Sequence, residues 1–389
     1  MLEDLIDRLA PVRLTPRGGA LLGVAIVGAF VAYIAGWPAL LAVALFALAA
    51  VAVGVAMVLL APVRVEVEHR LEPEVTEQDA PVAVRLTVRG RTGVTAEWRD
   101  AVHRSLDVLG EEHGVLPRLS PLRPEYEAGY AVVGTRRGVQ PVGPLLVDVI
   151  DPLGVAEARR RVGGEAGLTV LPRVHDVAAP LAVARVDLDP AATALVGVAG
   201  DQRDIIAREY RAGDPMRQVD WRSTAHRGEL MVRAEAATAA SIAAVVFDTR
   251  SSVWPDGSTF EWAVEAVASL VVATDGAAGE VRLVTPDRVA PDADLALLDL
   301  ATVQMSGSSA RLASLVAAAR GAEVQAVHVV TAGGAARELA ELPPVGGAVV
   351  GVVSVVSVLR GDLRQTARGW RAFALDPLSP VDAAWRDHG

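Results

Sequence analysis

The sequence predicts a chain of three parts: an N-terminal transmembrane helical hairpin, a β-rich sandwich-like domain, and an α/β domain built on a parallel sheet. Two nearly uninterrupted apolar runs occupy residues 19–37 and 39–60. Residues 63–69 and 82–88 alternate apolar and polar side chains at period two, as half-buried strands do. After residue 240, continuous apolar runs alternate with helical segments, which is typical of a parallel sheet covered on both faces.

Composition excludes several classes of function. The chain has 389 residues, of which 52% are hydrophobic, and a formal net charge of -10. A negative net charge argues against general nucleic-acid binding, which needs a cationic surface to neutralise phosphates. The absence of cysteine excludes disulfides and thiolate nucleophiles, and the absence of lysine excludes a Walker A lysine and a Schiff base.

Each apolar run has about the twenty residues needed to cross a bilayer. A cleaved signal peptide is disfavoured because a second run follows at once, and a hairpin buried in a soluble core is the remaining alternative. Arginines flank the open ends of the hairpin, and its turn carries no charge: Arg8, Arg13, Arg17, Arg64 and Arg70. The positive-inside rule then predicts a multi-pass protein of the cell membrane with both termini and all soluble domains in the cytoplasm.

We expect the following divisions along the chain. A cytoplasmic head spans residues 1–18, two transmembrane helices 19–62, the β-rich domain 63–180, a charged segment 181–240 and the α/β domain 241–389. Within the β-rich domain, Thr135-Arg136-Arg137 should form a turn between two strands. The two arginines are either exposed turn residues or a contact site.

The charged segment is densest between residues 201 and 235, where seven arginines face seven acidic residues. Such a set can neutralise itself by bidentate Arg–carboxylate pairing. Asp214 and Pro215 indicate a helix start. Buried pairs of this kind beside Trp221 can hold loops rigid, whereas tryptophan and arginine are also the usual anchors of interfaces, so both roles remain open.

The segment contains Arg208-Glu209-Tyr210, Gly213-Asp214, Arg217, Asp220-Trp221, Ala225, Leu230 and Val232. In these residues it resembles the signature of the domain-of-unknown-function 58 family of bacterial membrane proteins, usually encoded beside a MoxR-type AAA+ ATPase. The resemblance implies a MoxR-type AAA+ ATPase as partner. The candidate partner-binding residues are Arg208, Tyr210, Gly213, Asp214, Arg217, Asp220, Trp221 and Arg222.

The α/β domain should carry its functional crevice at the carboxyl ends of its strands. The predicted strands are 243–247, 280–285, 324–331, 348–356 and 371–375, and the predicted helices are 259–274, 292–304, 310–320, 335–342 and 363–370. Asp248 to Ser252 follows the first strand, and Thr331 ends a later one. These residues are the candidate site.

The arrangement resembles a von Willebrand factor A domain, whose metal-ion-dependent adhesion site uses Asp-x-Ser-x-Ser, a threonine and a later aspartate. Asp248, Ser252 and Thr331 match that pattern, but Arg250 replaces the first serine and Ala332 the later aspartate. A guanidinium can take the electrostatic place of a cation, and Mg²⁺ needs more oxygen ligands than remain. We therefore predict a degenerate site without Mg²⁺ and no cofactor.

The sequence favours a membrane-anchored interaction or assembly module over an enzyme. Such a module would be an adaptor or client of the ATPase in the maturation of protein complexes or the cell envelope. The alternative is a metal-assisted hydrolase acting at the strand ends around Asp248. The histidines are scattered without metal-ligand spacing, and His226 suits a helix end better than an acid–base role.

Overall fold

The computed structural model describes residues 12–60, 63–92, 96–177, 205–209, 231–235, 241–321, 324–345, 349–356 and 367–386. The chain divides into two compact units, Met1–Leu171 and Pro172–Gly389. The first unit holds the helical hairpin and the β-rich domain. The second holds the α/β domain.

The predicted hairpin consists of helices α1 (Pro16–Ala35) and α2 (Pro38–Leu60), both long and apolar enough to cross a membrane. Helix α1 begins three residues earlier than predicted because the Thr15 hydroxyl accepts a hydrogen bond from the Gly18 amide (3.1 Å) and proline occupies the first helical position. Residues 1–11 of the predicted head lie outside the described part of the chain. In the rest of the head, strand β1 (Arg13–Leu14) pairs with a strand of the β-rich domain.

The two helices bury small side chains and expose large ones. Ala25 and Ala32 of α1 and Ala44 of α2 are buried, whereas Phe30 and Phe46 are 65% and 77% exposed. A core helix of a soluble protein has the opposite pattern. Small residues at a helix–helix contact and large apolar residues outside are typical of helices surrounded by lipid.

Two facing sheets form the β-rich domain, as expected. The first contains β2 (Val63–Glu72), β4 (Pro81–Thr92), β8 (Glu125–Gly134) and β6 (Leu106–Leu109), all antiparallel, in the order β2-β4-β8-β6. The second is a seven-stranded mixed sheet that includes β1 and whose remaining strands are β3 (Val75–Glu77), β5 (Ala96–Val102), β7 (His113–Leu116), β9 (Gly138–Ile150), β10 (Ala156–Val162) and β11 (Ala166–Leu171). The predicted turn at Arg136 and Arg137 joins β8 to β9.

Alternating side chains of both sheets form the sandwich core. In β4 the residues from Val82 to Val88 are buried at every second position, which is the period-two pattern seen in the sequence. Leu86, Leu116 and Leu145 are fully buried and come from three different strands. The core therefore fixes the register of strands far apart in the chain.

The α/β unit is built on a six-stranded sheet in the order β16-β15-β14-β17-β18-β19. Its strands are β14 (Ser241–Phe247), β15 (Gly279–Val284), β16 (Val289–Ala290), β17 (Val324–Ala332), β18 (Val350–Val356) and β19 (Trp370–Leu375). All are parallel except β16, which runs antiparallel at the edge. The helices are α3 (Gly257–Ala278), α4 (Ala293–Thr302), α5 (Leu312–Ala319) and α6 (Val381–Arg386).

Two predicted helices of this unit differ from the structure. Residues 335–342 belong to a 3-10 helix, Gly333–Glu341, rather than an α-helix. The helix predicted over 363–370 falls largely outside the described residues, and Trp370 begins β19. Gly369 precedes that strand with a φ of 89°, and a Cβ there would lie 2.0 Å from the Val345 carbonyl oxygen, so the chain needs glycine at this point.

Candidate functional site

The candidate site begins at Asp248, immediately after the central strand β14. Its backbone amide donates to the Val330 carbonyl at 3.0 Å, which continues the pairing of β14 with β17. Its side chain is fully buried. A carboxylate in such a place needs partners for both oxygens, because an unpaired buried charge is costly.

Arg250 supplies most of those partners. Its Nε donates to Oδ1 of Asp248 and its Nη2 to Oδ2, each at 2.8 Å, so the guanidinium binds the carboxylate through two parallel hydrogen bonds. The Thr331 hydroxyl, at the end of β17, donates to the same Oδ2 at 2.8 Å. Both carboxylate oxygens of Asp248 are therefore occupied by side chains of this chain.

Glu338 completes the cluster from the 3-10 helix. Arg250 Nη1 donates to its Oε1 at 2.9 Å, and the Leu312 amide at the start of α5 donates to its Oε2 at 2.8 Å. Burial alone acts to raise the pKa of Glu338, but the Leu312 amide and Arg250 outweigh it and hold that pKa below its usual value. The hydrogen bond to Asp248 raises the pKa of Arg250 above its ordinary value, so the guanidinium stays charged.

The loop that carries Arg250 is fixed on two sides. Ser251 donates its amide to the Ser306 carbonyl at 2.8 Å, and the Ser306 amide donates to the Thr249 carbonyl at 2.7 Å. Trp254 donates its indole N–H to the Asp248 carbonyl at 2.7 Å and packs edge-on against Phe247. The ion cluster is consequently held in one geometry rather than free to rearrange.

An open cleft of about 700 Å³ lies beside this loop, at the carboxyl ends of the strands. Its lining is mainly apolar and includes Val253, Trp254, Trp262, Val356, Pro377 and Leu378. Trp262 is held by an indole hydrogen bond to the Ser379 carbonyl at 2.8 Å, whereas Leu378 is 80% exposed. Rigid aromatic walls with an exposed leucine can receive apolar side chains of another molecule.

Asp248 and Thr331, the predicted adhesion-site residues, are thus in direct contact. Ser252 is exposed and lines the cleft, and Ala332 is buried without a ligand atom on its side chain. Within the described ranges no group of three or more His, Asp or Glu side chains could hold a metal ion. That the site is degenerate and binds no metal remains a prediction. The guanidinium of Arg250 lies against the carboxylate of Asp248, where it was expected from the sequence to take the place of a cation.

Most of the signature lies outside the described residues. Of its candidate partner-binding positions only Arg208 is described, in β12 (Ile205–Glu209), where its backbone pairs with Val232 of β13 (Met231–Glu235). These two antiparallel strands lie at the two ends of the signature. Tyr210, Gly213, Asp214, Arg217, Asp220, Trp221 and Arg222 lie outside the described part of the chain.

Sequence reasoning missed Glu338 and the walls of the cleft. Glu338 is 88 residues from Arg250, and nothing in its local sequence distinguishes it from a surface glutamate. Leu378 follows β19 and so belongs to the strand ends, a signal that could have been used. A second buried cluster was also missed: in the sandwich, Asp100 accepts from Tyr130 at 2.8 Å and pairs with His69 at 3.0 Å.

Comparison with known proteins finds a family match over part of the chain. Residues 206–286 match the family described as "Protein of unknown function DUF58", which confirms the resemblance found in the signature. No curated protein matches the chain.

Solved structures resemble the chain only weakly. The CARDB domain of the PF1109 protein from Pyrococcus furiosus is 14% identical, with 26% of this chain and 94% of that chain covered and a TM-score of 0.18. A FixG-related protein from Vibrio parahaemolyticus is 8% identical over 26% and 98% of the two chains, also with a TM-score of 0.18. The ASH/PapD-like domain of human CEP192 is 13% identical over 25% and 82%, with a TM-score of 0.16. At these scores the likenesses carry no argument about fold or function.

Proposed function

We propose, from the match of residues 206–286 to the DUF58 family, that the chain is a membrane-anchored interaction module. In this proposal the α/β unit is a von Willebrand factor A-like domain that binds a protein partner at its strand ends. The partner is a MoxR-type AAA+ ATPase, for which the module serves as adaptor or client in the maturation of protein complexes or the cell envelope.

The von Willebrand A-like assignment is supported by the strand order and by the position of the polar loop. Asp248 follows the central strand, and Thr331 ends the neighbouring strand β17, as the two ligand-bearing loops of such a domain would require. The antiparallel edge strand β16 follows the parallel strand β15.

The observation that carries the proposal is the saturation of Asp248 by Arg250 beside an open cleft. All three guanidinium nitrogens donate to carboxylates, two to Asp248 and one to Glu338. A hydrolytic role for Asp248 would need its oxygens to bind a metal or a water, but Oδ1 already accepts a hydrogen bond from Arg250, and Oδ2 accepts from Arg250 and Thr331. The adjacent cleft offers apolar walls and a fixed shape, which favours binding over catalysis.

Membrane anchoring through the hairpin is part of the same proposal. The exposed phenylalanines of α1 and α2 and the buried alanines between the helices support a hairpin surrounded by lipid. Arg13 and Arg17 stand at one open end and Arg64 at the other, so the positive-inside rule favours a cytoplasmic α/β unit. That side of the membrane is where ATP is available to the partner.

Affinity capture of the full-length protein from its own membranes, with and without ATP, tests the proposal. We expect the AAA+ ATPase to co-purify and Leu378→Glu to reduce its recovery at least several-fold, because a charge would be placed on the apolar wall. Leu295→Glu is a matched control, since Leu295 is a 47% exposed leucine of α4 that does not line the cleft. Trp221→Ala tests the signature in the same assay.

The outcomes separate the parts of the proposal. If no ATPase is recovered with the intact protein, the partner assignment fails. If Leu378→Glu and the Leu295→Glu control recover equal amounts, the cleft is not the partner site. If only Trp221→Ala reduces recovery, the signature binds the partner instead.

A further inference from the structure

One end of the β-rich domain carries two exposed apolar tips, and the helical hairpin leaves from that same end. Strand β2 starts there at Val63, three residues after the end of α2, and β4 returns there to pair Thr92 with Val63. Strand β9 also reaches this end, because its Asp148 pairs with Glu97 at the start of β5. We refer to it as the hairpin end of the sandwich.

The first tip is the loop after β9, which is seated on the hairpin itself. A Cβ on Gly54 of α2 would lie 2.4 Å from a methyl carbon of Val155, and one on Gly18 of α1 would lie 1.9 Å from the Val155 carbonyl oxygen. Only glycine permits these approaches. The Thr15 hydroxyl also donates to the Gly154 carbonyl at 2.6 Å, so the loop is fixed to both helices.

The same loop is rigid and presents a leucine outwards. The buried carboxylate of Asp151 accepts hydrogen bonds from the amides of Leu153, Val155 and Ala156 at 2.6 to 2.8 Å. Its charge is therefore met by backbone donors within the loop. Leu153 at the tip is 57% exposed.

The length of the hairpin sets the depth of this loop. From Pro38 to Gly54 helix α2 rises about 25 Å at 1.5 Å per residue. The hydrocarbon core of a bilayer is about 30 Å thick. The part of α2 between the hairpin turn and the Val155 contact is therefore no longer than the hydrocarbon core of the bilayer. A hairpin that spans the bilayer consequently holds Leu153 at the boundary of the hydrocarbon core.

The second tip is a tight turn between β7 and β8. Ser120 and Arg123 exchange two backbone hydrogen bonds of 2.9 Å, with Pro121 and Leu122 between them. The turn is tied to the hairpin end because the Leu119 amide donates to the Thr92 hydroxyl at 2.7 Å. Leu122 is 94% exposed, although it is held on a fixed backbone.

Two arginines flank this second tip. Arg118 and Arg123 flank Leu122 and are exposed, and residues 113–124 contain no acidic side chain. Arg91, near the end of β4, is exposed on the strand that anchors the turn. An apolar tip between arginines is complementary to a bilayer surface that carries anionic headgroups.

We propose that the hairpin end of the sandwich rests on the bilayer, with Leu122 and Leu153 inserted at the boundary between headgroups and acyl chains and with Arg118 and Arg123 bound to anionic headgroups. This contact rests on the membrane anchoring in the proposed function and extends it from the hairpin to the β-rich domain. It fixes the orientation of that domain relative to the membrane, which a hairpin alone would not do.

Single-cysteine variants of the full-length chain test the contact, because the natural sequence has no cysteine. Leu122→Cys, Leu153→Cys, Leu109→Cys and Phe46→Cys would each carry a nitroxide in vesicles containing roughly one-third anionic lipid, and accessibility to oxygen and to a water-soluble nickel complex would be measured. Leu109 is a 51% exposed leucine on β6. It pairs with Ala131 of β8, which pairs with Ala83 of β4, and Ala83 pairs with Glu72 at the far end of β2. That level lies roughly 30 Å from Val63 along the strand.

The expected result is an oxygen-to-nickel accessibility ratio several-fold higher at positions 122 and 153 than at position 109, with position 46 highest. A membrane-embedded position 46 together with aqueous positions 122 and 153 would overturn the contact and leave the anchoring intact. An aqueous position 46 would overturn the anchoring as well.

The role of the arginines has its own test in the same vesicles. Arg118→Glu with Arg123→Glu should lower the ratio at position 122 to about the value at position 109, and vesicles of zwitterionic lipid alone should lower it in the parent. Arg136→Glu with Arg137→Glu, in the turn at the opposite end, should leave it unchanged. Equal effects of the two pairs would show that headgroup binding at the hairpin end is wrong.

Discussion

Replacement of Arg250 by methionine should destabilise the α/β unit far more than the loss of a surface charge. Arg250 grips Asp248 with two bonds of 2.8 Å, and the side chains are 7% and 0% exposed. Without the guanidinium, the buried carboxylate keeps, among the described residues, the Thr331 hydroxyl and the backbone amide of residue 250 as donors. Removal of one partner of a buried ion pair costs about 3–5 kcal/mol.

In a unit of this size, that loss lowers the melting temperature by about 2–4 °C per kcal/mol, or about 6–20 °C in all. Thermal unfolding of the full-length protein in lipid nanodiscs, followed by tryptophan fluorescence, measures the shift. Trp254 reports from the site because its indole donates to the Asp248 carbonyl. The double variant Asp248→Asn, Arg250→Met should recover much of the loss, since no isolated charge stays buried.

Arg159 offers a control of the same geometry. It grips Asp148 with bonds of 2.7 and 2.8 Å but is 64% exposed, so Arg159→Met should cost less than about 1 kcal/mol. If Arg250→Met melts within about 2 °C of the parent, or if the double variant is no more stable than the single one, the role assigned to Arg250 is refuted.

Three further outcomes follow from the same unit. Arg250→Ser restores an Asp-x-Ser-x-Ser loop beside Thr331, so millimolar Mg²⁺ should raise its melting temperature and leave the parent unchanged; equal responses would contradict the view that the guanidinium takes the cation's place. Burial lowers the pKa of His328 to about 3. Below pH 6.5 the unfolded chain therefore binds a proton at this histidine that the folded chain does not, and the free energy of unfolding should fall by about 2 kcal/mol between pH 7.5 and 5. The His328→Gln variant should lose that pH dependence. Because the pKa of Glu338 is lowered in the folded chain, its carboxylate stabilises the fold fully above its ordinary pKa, and this stabilisation is lost as the pH falls through the lower folded value. Glu338→Gln should therefore flatten the decline of folding stability below about pH 4.5. An unchanged decline at acid pH would contradict this role.

Patterns local in sequence predicted much of the fold. The uninterrupted apolar run before Asp248 is β14, because a strand covered on both faces needs apolar side chains at every position. The Arg136–Arg137 turn and strand β4 were also predicted from local sequence, the strand from its alternation of apolar and polar residues. The start of α1 was predicted at residue 19 because only the apolar run was used. Thr15 and Pro16, a capping residue and a first-turn proline, mark the true start and could have been used.

Contacts between distant residues were not predictable from such patterns. The substitution of Arg250 for serine indicated a replaced cation, but the second carboxylate that binds it, Glu338, comes from an element 88 residues away. His69, Asp100 and Tyr130 likewise meet only when the two sheets pack, and each alone looks like an ordinary strand residue. Their pairing is a property of the register of the sheets.

Site-specific photocrosslinking in native membranes tests the central claim, that the cleft at the strand ends binds the ATPase. Leu378→Cys would carry a photoreactive group at the cleft, and Leu295→Cys would carry it on the exposed face of α4 as the control. Adducts would be identified by mass spectrometry. We expect an AAA+ ATPase adduct from position 378 that is absent from position 295. An ATPase adduct of equal yield from both positions, or none from position 378 while the ATPase is present in the membranes, would contradict it.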